Sequence, residues 1–297
     1  MTALILDGRT VAAEDKQILK EKIDAFIQKY HRAPGLAVIL VGQDPASEIY
    51  VNRKKSACNE VGINSLYYHF PSSLSQEELL NTIDALNERS DVDGILVQLP
   101  LPEHIDSQAI INRINPAKDV DGFHPLNVGR LTLRQYCLSS CTPMGIMRLM
   151  KAYDISPSGK HAVIVGTSNI VGRPMALELL AANATVTLCH RLTQGLEKFV
   201  RMADILVVAI GNPSVIKAEW LNSNQTVIDI GINRLENNTI CGDVPFDAAK
   251  EIVQAITPVP GGVGPMTIIS LLENCLTAAL SLQKDYRSKS SQSNSSS

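Results

Sequence analysis

Lys54 sits in the run Tyr50-Val51-Asn52-Arg53-Lys54-Lys55-Ser56-Ala57-Cys58, with no acidic residue one helical turn to either side. Its neighbours at that spacing are Tyr50, Val51, Ala57 and Cys58, so a helical i,i+4 ion pair does not account for the ammonium. Ile49, Tyr50, Val51, Ala57, Cys58 and Val61 make an apolar face that places Lys54 on it or at its edge. Such a lysine either snorkels its charge to water or works in a cleft, where proton transfer is its chemistry. The helix alone fits both readings. Gln98 ends the apolar run Gly94-Ile95-Leu96-Val97 and is followed by Leu99-Pro100-Leu101-Pro102, whose prolines stop a strand. At the carboxyl end of a parallel strand its amide can orient an ammonium without adding charge, or it can cap its own loop. Lys118-Asp119-Val120-Asp121-Gly122-Phe123-His124-Pro125 offers two carboxylates. An Asx turn before glycine is the plainer reading of the same residues. The tetrapeptide Asp-Val-Asp-Gly also occurs at 91–94, where it suggests no chemistry. His124 has no Ser or Cys partner and reads as structural.

A second group of candidates lies further along. Gly166-Thr167-Ser168-Asn169-Ile170-Val171-Gly172-Arg173-Pro174 follows the apolar run His161–Val165. A glycine turn from strand to helix presents backbone N–H groups and a positive helix end, which suits a phosphate. The spacing is neither G-x-G-x-x-G nor a P-loop, and a plain strand-to-helix turn fits as well. The next strand, 184–188, ends in Cys189-His190-Arg191, where NAD-binding folds place an acid for the ribose 2′-hydroxyl. An acid there would repel a 2′-phosphate, whereas Arg191 can pair with one, so the sequence leans to NADP. A solvated arginine is the alternative. Pro258-Val259-Pro260-Gly261-Gly262-Val263-Gly264-Pro265 is glycine- and proline-dense before a helix. Prolines fix its path and glycines allow a ligand close to the backbone, so it reads as a site loop.

The elements that must position these residues follow from apolar patterning. Strands are predicted at 36–41, 65–70, 94–98, 161–165, 184–188, 204–209 and 226–230. Helical patterns cover 11–30, 45–61, 75–89, 143–153, 170–182, 247–254 and 266–282. Asp44 and Pro45 read as an N-cap and first helical residue. Val- and Ile-rich strands alternating with helices predict an α/β fold with parallel sheets. Two α/β lobes with a cleft between them are expected, the second Rossmann-like. The predicted domains are 1–125 plus 265–284 for the first lobe, 140–260 for the second, and a disordered serine-rich tail over 285–297.

Composition narrows the class. The chain has 297 residues, 45% hydrophobic content and a formal charge of -3, which points to neither nucleic acid nor an anionic membrane. No apolar run approaches the ~18–20 residues of a membrane span, and MTALILDGRT lacks a signal peptide's basic region. Cys58, Cys137, Cys141, Cys189, Cys241 and Cys275 form no C-x-x-C pair. They read as reduced residues of a cytoplasmic protein without a metal site.

Taken together, YVNRKKSAC (50–58), DGILVQLPLP (93–102), INPAKDVDGFHPLNVG (114–129), CTPMG (141–145), SNIVGRP (168–174), GDV (242–244) and ITPVPGGVGPMT (256–267) resemble the bifunctional methylenetetrahydrofolate dehydrogenase/methenyltetrahydrofolate cyclohydrolase family. The resemblance covers about residues 2–282. It implies oxidation of 5,10-methylenetetrahydrofolate with NADP⁺ and hydrolysis of the methenyl product to 10-formyltetrahydrofolate, feeding one-carbon units to biosynthesis. It implies Lys54 as the proton-transfer residue of the hydrolytic half, Gln98 as the residue holding it, Tyr50 stacking on the folate and Asp121 bonding the pterin edge. Cofactor contacts are implied at Gly166, Thr167, Ser168 and Ile232. Pro258, Gly261 and Gly262 are implied on the substrate side, lining the cleft where nicotinamide meets folate. Many members carry Arg at the position of Thr167 to hold the 2′-phosphate, and Arg191 is the substitute this chain offers. A homodimer follows from the resemblance alone.

Rival readings fit less of the chain. Tyr50-x3-Lys54 is also similar to the pair of short-chain dehydrogenases, but there the glycine loop precedes the pair. A two-lobed amino-acid dehydrogenase leaves VQLPLP and PVPGGVGP unexplained. A non-catalytic nucleotide-binding regulator does not need Lys54, Gln98 and Asp121 together.

Overall fold

The computed structural model describes residues 2–235 and 239–293. The chain opens with β1 (Leu4–Ile5), α1 (Gly8–Tyr30), β2 (Gly35–Val41), α2 (Pro45–Val61), β3 (Asn64–Phe70), α3 (Gln76–Glu88) and β4 (Gly94–Val97). Three helices follow: α4 (Ser107–Arg113), α5 (Pro125–Thr132) and α6 (Cys141–Ala152). Alternation resumes through β5 (His161–Val165), α7 (Gly172–Ala181), β6 (Thr185–Cys189), α8 (Leu196–Met202), β7 (Ile205–Val208) and β8 (Thr226–Asp229). β9 (Asn233–Arg234) pairs antiparallel with β10 (Ile240–Cys241), and α9 (Phe246–Ala249), β11 (Ala255–Ile256) and α10 (Val263–Ser293) complete the chain.

Two compact units result. The first comprises Asp15–Arg130, Gln135–Ser139 and Leu271–Ser297. Its parallel sheet has the order β3-β2-β4, and every residue of the central strand β2 is buried. A continuous apolar run is what a strand covered on both faces requires. Leu79, Ile83 and Leu86 of α3 and Ile110 of α4 pack with Ala37, Ile39 and Ile95 of the sheet. Asp93 of the first Asp-Val-Asp-Gly is structural: it takes two 2.7 Å bonds from Arg32 and one of 2.8 Å from the Gly35 N–H. The same bonds tie the start of β2 to the approach to β4. Helix α2 begins as its sequence predicts, with the Asp44 carboxylate accepting the Ser47 N–H at 2.8 Å and Pro45 in the first turn. It ends on Gly62 in the left-handed region.

The second unit comprises Met1–Glu14, Leu131–Arg134 and Ser140–Ser270. Its six strands are all parallel in the order β1-β11-β8-β7-β5-β6. From β5 the chain moves out to β6 on one side and returns to β7 on the other. That reversal puts a crevice at the carboxyl end of β5, as in dinucleotide-binding sheets. The α/β class and the Rossmann-like second domain are therefore as the sequence predicts.

Some features differ from the prediction. Residues 1–14 belong with the six-stranded sheet and not with the first lobe: β1 pairs with β11, and the Leu6 N–H reaches the Ile256 carbonyl at 2.9 Å. A two-residue strand carries no periodic signal, so only its distant partner reveals it. Helix α10 continues to Ser293, into the segment whose serine content predicts a disordered tail, because propagating a formed helix costs little per residue. The last four residues of that tail lie outside the described residues. Between Val263 and Lys284 the same helix is long and apolar enough to cross a membrane, with a mean hydropathy of 1.4 in its most apolar window, which is 61% buried. Thr, Ser, Glu and Asn interrupt the apolar run there, so counting uninterrupted runs misses it. Met266, Ile269, Leu272, Cys275 and Ala279 are buried, which makes it a core helix.

Candidate active site and nucleotide site

In the first unit, α2 and the end of β4 bring two predicted residues together. Lys54 Nζ donates to Gln98 Oε1 at 3.0 Å, and Gln98 Nε2 donates to the Leu99 carbonyl at 2.7 Å. The second bond fixes the amide's orientation, so its oxygen faces the ammonium. Gln98 lies one residue beyond β4, at a carboxyl strand end. Both side chains are partly buried, while Arg53 and Lys55 are exposed. The apolar face of α2 is built from Val51, Ala57, Cys58 and Val61; Ile49, predicted on it, is 47% exposed. Burial pushes the Cys58 thiol up to about 12, which removes it as a nucleophile at neutral pH.

Asp121 lies within electrostatic reach of Lys54. Burial raises its carboxyl from 3.8 to about 6, Lys54 pulls it back down, and Asp119 adds to the rise. No protein hydrogen bond satisfies this carboxylate among the described residues. Asp119, by contrast, is wholly engaged: it accepts Phe123 N–H at 3.3 Å, His124 N–H at 2.8 Å and Asn127 Nδ2 at 2.9 Å. The two aspartates therefore divide the roles that the sequence left open. Asp119 makes the turn and Asp121 keeps its acceptors available. His124 is structural as read, its Nδ1 accepting the Leu126 N–H at 3.1 Å. Tyr50 is half-buried, and burial pushes its phenol upward.

In the second unit, Gly166, Thr167 and Ser168 follow β5 directly, at the crevice. Gly166 has φ +128, and a Cβ there would lie 2.2 Å from the Ala209 carbonyl oxygen, so only glycine fits. Of the N–H groups predicted to be open, those at the first turn of α7 are engaged within the loop. Ser168 Oγ accepts Val171 N–H at 3.2 Å and Gly172 N–H at 3.4 Å, and the Ser168 carbonyl accepts Arg173 N–H at 3.1 Å. These bonds engage the donors of residues 171–173, whereas the N–H groups of Thr167, Ser168, Asn169 and Ile170 meet no protein acceptor among the described residues and, with the Ser168 hydroxyl proton, stay open to a ligand. Arg191 is exposed at the tip of a turn after β6. The turn is held by His190 N–H to Thr193 Oγ1 at 2.9 Å and Leu192 N–H to His190 Nδ1 at 3.1 Å. No carboxylate pairs with Arg191 among the described residues. Ile232, just past β8, is 51% exposed.

The Pro258–Gly262 loop is shaped by the chain's own N-terminus. Gly262 N–H bonds the Pro258 carbonyl at 2.8 Å, Arg9 Nη2 reaches the Pro260 carbonyl at 3.4 Å, and a Cβ on Gly8 would meet the Gly262 oxygen at 1.8 Å. Close backbone approach, predicted for a ligand, is here made by residues 8 and 9. Sequence reasoning missed Arg9 in this setting, and missed Arg173, whose Nε donates to the Thr167 carbonyl at 3.1 Å. It also missed Asp229 and Asp243, buried behind the loops after β7 and β8. The GDV motif was the one signal for the last. Among the described residues no group of three His, Cys, Asp or Glu could hold a metal ion, and all six cysteines are free thiols.

A Rossmann-like unit, joined in one chain to an α/β unit carrying a buried-edge lysine–amide pair, defines a two-domain nucleotide-dependent dehydrogenase. Comparison with known proteins makes this specific. Residues 6–121 match the catalytic domain of tetrahydrofolate dehydrogenase/cyclohydrolase, and residues 140–283 match that family's NAD(P)-binding domain. The bifunctional protein FolD of Neisseria gonorrhoeae (strain NCCP11945) is 56% identical over 279 residues, 94% of this chain and 98% of that protein. The crystal structure of the bifunctional FolD methylenetetrahydrofolate dehydrogenase/cyclohydrolase of Campylobacter jejuni superposes with a TM-score of 0.92 at 49% identity, covering 94% of this chain and 99% of that one. The Trypanosoma brucei enzyme, solved with NADP cofactor and an inhibitor, gives 0.90 at 36% identity over 94% and 98%. The chain belongs to the tetrahydrofolate dehydrogenase/cyclohydrolase family.

Proposed function

We propose that this chain oxidises 5,10-methylenetetrahydrofolate to 5,10-methenyltetrahydrofolate with NADP⁺ and hydrolyses the methenyl product to 10-formyltetrahydrofolate, supplying one-carbon units for biosynthesis. The observation that carries the reading is the Lys54–Gln98 pair beside Asp121, whose partly buried carboxylate makes no protein hydrogen bond among the described residues, within a chain whose other unit is a Rossmann-like sheet. The second unit suits the cofactor: Gly166 leaves no room for a side chain, and Arg191 is an exposed cation without a carboxylate partner among the described residues. Gly166, Thr167, Ser168 and Ile232 would line NADP, and Arg191 would meet its 2′-phosphate. Bound NADP⁺ supplies the hydride acceptor, and the protein's part in that half is alignment.

The hydrolytic half falls to side chains of the first unit. Water adds to the methenyl carbon, a carbon–nitrogen bond of the ring opens, and the formyl group stays on one nitrogen. Lys54 Nζ moves the proton in these steps, held in place by Gln98. Ionised Asp121 accepts the N–H donors of the pterin's amino-pyrimidine edge, and Tyr50 stacks on the ring system. Pro258, Gly261 and Gly262 contribute on the substrate side. The working form is a cytoplasmic homodimer, a reading supported by the family resemblance and, for the compartment, by six free thiols.

The test is a spectrophotometric assay of NADP⁺ and NAD⁺ reduction with methylenetetrahydrofolate, paired with the decay of added methenyltetrahydrofolate. Both reactions are expected, with NADP⁺ preferred. Nucleotide binding without either reaction would replace this reading with that of a non-catalytic regulator.

A further inference from the structure

Two buried carboxylates outside the lysine site face each other behind the cofactor-side loops. Asp229, the last residue of β8, is 3% exposed and Asp243 is fully buried. Asp229 Oδ1 accepts the N–H groups of Gly231 at 2.9 Å and Asp243 at 3.0 Å, and its Oδ2 accepts Val244 N–H at 2.8 Å. Asp243 Oδ2 accepts Ile210 N–H at 2.7 Å and Gly211 N–H at 2.9 Å, while its Oδ1 accepts Asn233 Nδ2 at 2.8 Å. Neither has a cationic partner among the described residues. Every bond the two carboxylates make is accepted, and all but one come from backbone N–H groups.

These bonds gather three stretches of chain at the carboxyl ends of adjacent parallel strands: 210–211 after β7, 231–233 after β8, and 242–244. Open α/β sheets keep their ligands at that edge. Packing is too tight for substitutes in the backbone itself. A Cβ on Gly231 would lie 2.3 Å from the Asp243 carboxyl carbon, and one on Gly242 would lie 2.0 Å from Asp229 Oδ2. Two like charges buried together are costly unless each is heavily hydrogen-bonded, so a pair held this way is paying for something.

We propose that Asp229 and Asp243 are positioning residues for the dinucleotide, clamping the loops after β7 and β8 into the shape that receives it. This deepens the functional reading above and rests on it only for the identity of the cofactor. The clamp requires the Asp229 carboxylate ionised. A proton on it would replace an acceptor with a donor facing N–H groups. Burial lifts Asp229 from 3.8 to about 6, with the facing charge of Asp243 adding to the rise. Among the described residues Asp243 is the one titratable group facing the Asp229 carboxylate; its other neighbours are the peptide N–H groups it accepts. Cofactor affinity is then complete well above pH 6 and falls as pH drops through about 6.

The experiment is calorimetric titration with NADP⁺ of the wild type, Asp243→Asn, Asp243→Ala and Asp229→Asn across pH 5 to 8. Hydrolysis of methenyltetrahydrofolate without nucleotide is measured beside it for the Asp243 variants. Losing charge-assisted bonds to buried N–H groups raises the NADP⁺ dissociation constant about tenfold or more in Asp243→Ala. Asp243→Asn keeps one oxygen toward Ile210 and Gly211 and falls between. Hydrolysis stays within about twofold, since the reacting groups lie on other elements. In Asp229→Asn the acid-side loss of affinity seen in the wild type disappears. Unchanged NADP⁺ affinity in the folded Asp243 variants overturns the proposal, and so does an equal loss of hydrolysis, which marks a merely structural role. If Asp243→Ala fails to fold, Asp243→Asn and the wild-type pH profile decide. A wild type that binds NADP⁺ but performs neither reaction sinks the functional reading and leaves the clamp to stand or fall on the titration.

Discussion

Replacing Asp121 with asparagine should make the protein more stable and less able to bind its substrate. The carboxyl stands at about 6 in the folded chain against an ordinary 3.8, chiefly because burial disfavours its charge, with Lys54 already offsetting part of that cost. A carboxyl raised on folding costs stability above its unfolded value, and the cost is relieved as pH falls through the folded value. At 1.36 kcal/mol per decade the cost near pH 7 is about 3 kcal/mol. The same linkage gives roughly half of that near pH 5 and about 0.5 kcal/mol near pH 4. Asp121→Asn removes the charge and keeps the shape, and no protein donor loses a partner. Its stability gain over the wild type should therefore be largest at neutral pH and shrink on acidification. Denaturant titrations of both proteins near pH 7, 5 and 4 read this directly. At neutral pH the variant should also bind methenyltetrahydrofolate at least about tenfold more weakly, the ionised acceptor being gone. A variant no more stable than wild type at neutral pH, or one whose gain is the same at all three, would refute the assignment of a costly buried charge to Asp121.

Lys54→Met should lower methenyltetrahydrofolate hydrolysis by at least about 100-fold while NADP⁺ affinity holds; normal hydrolysis in that variant removes Lys54 from its role. Arg191→Ala should cut the preference for NADP⁺ over NAD⁺ about tenfold, read as a ratio of kcat/KM values. A preserved ratio moves the 2′-phosphate to another cation, with Arg173 beside Thr167 next in line. Gly166→Ala puts a Cβ 2.2 Å from the Ala209 carbonyl oxygen at φ +128. It should cost about 2–4 kcal/mol in unfolding and weaken nucleotide binding, and an unchanged melting temperature contradicts that packing.

Much of this was legible because local chemistry and long-range geometry agreed. Lys54 on an apolar helix face and Gln98 at a strand end are each ambiguous. Once β4 pairs beside β2 in a parallel sheet, the two sit 3.0 Å apart. The reversal of strand order at β5 likewise puts Gly166 where its sequence suggested. What stayed hidden depended on partners far along the chain. Leu4 and Ile5 have no pattern of their own until Ala255 and Ile256 pair with them. Ser168 stands where a glycine is usual, and its hydroxyl takes two of the N–H groups offered to a phosphate, those of Val171 and Gly172. Asp119 and Asp121, two residues apart, could not be told apart until one was seen to make the turn and the other to face Lys54. The short helices α4, α5 and α8 span too few turns to show a clear period.

The central claim, that one chain carries a folate through both reactions, is tested by measuring NADPH and 10-formyltetrahydrofolate together in a single sample of purified protein given methylenetetrahydrofolate and NADP⁺. The two products should accumulate in equal amounts in the wild type, while Lys54→Met makes NADPH and stops at the methenyl compound. Failure to form either product in the wild type, or equal product formation by Lys54→Met, would contradict it.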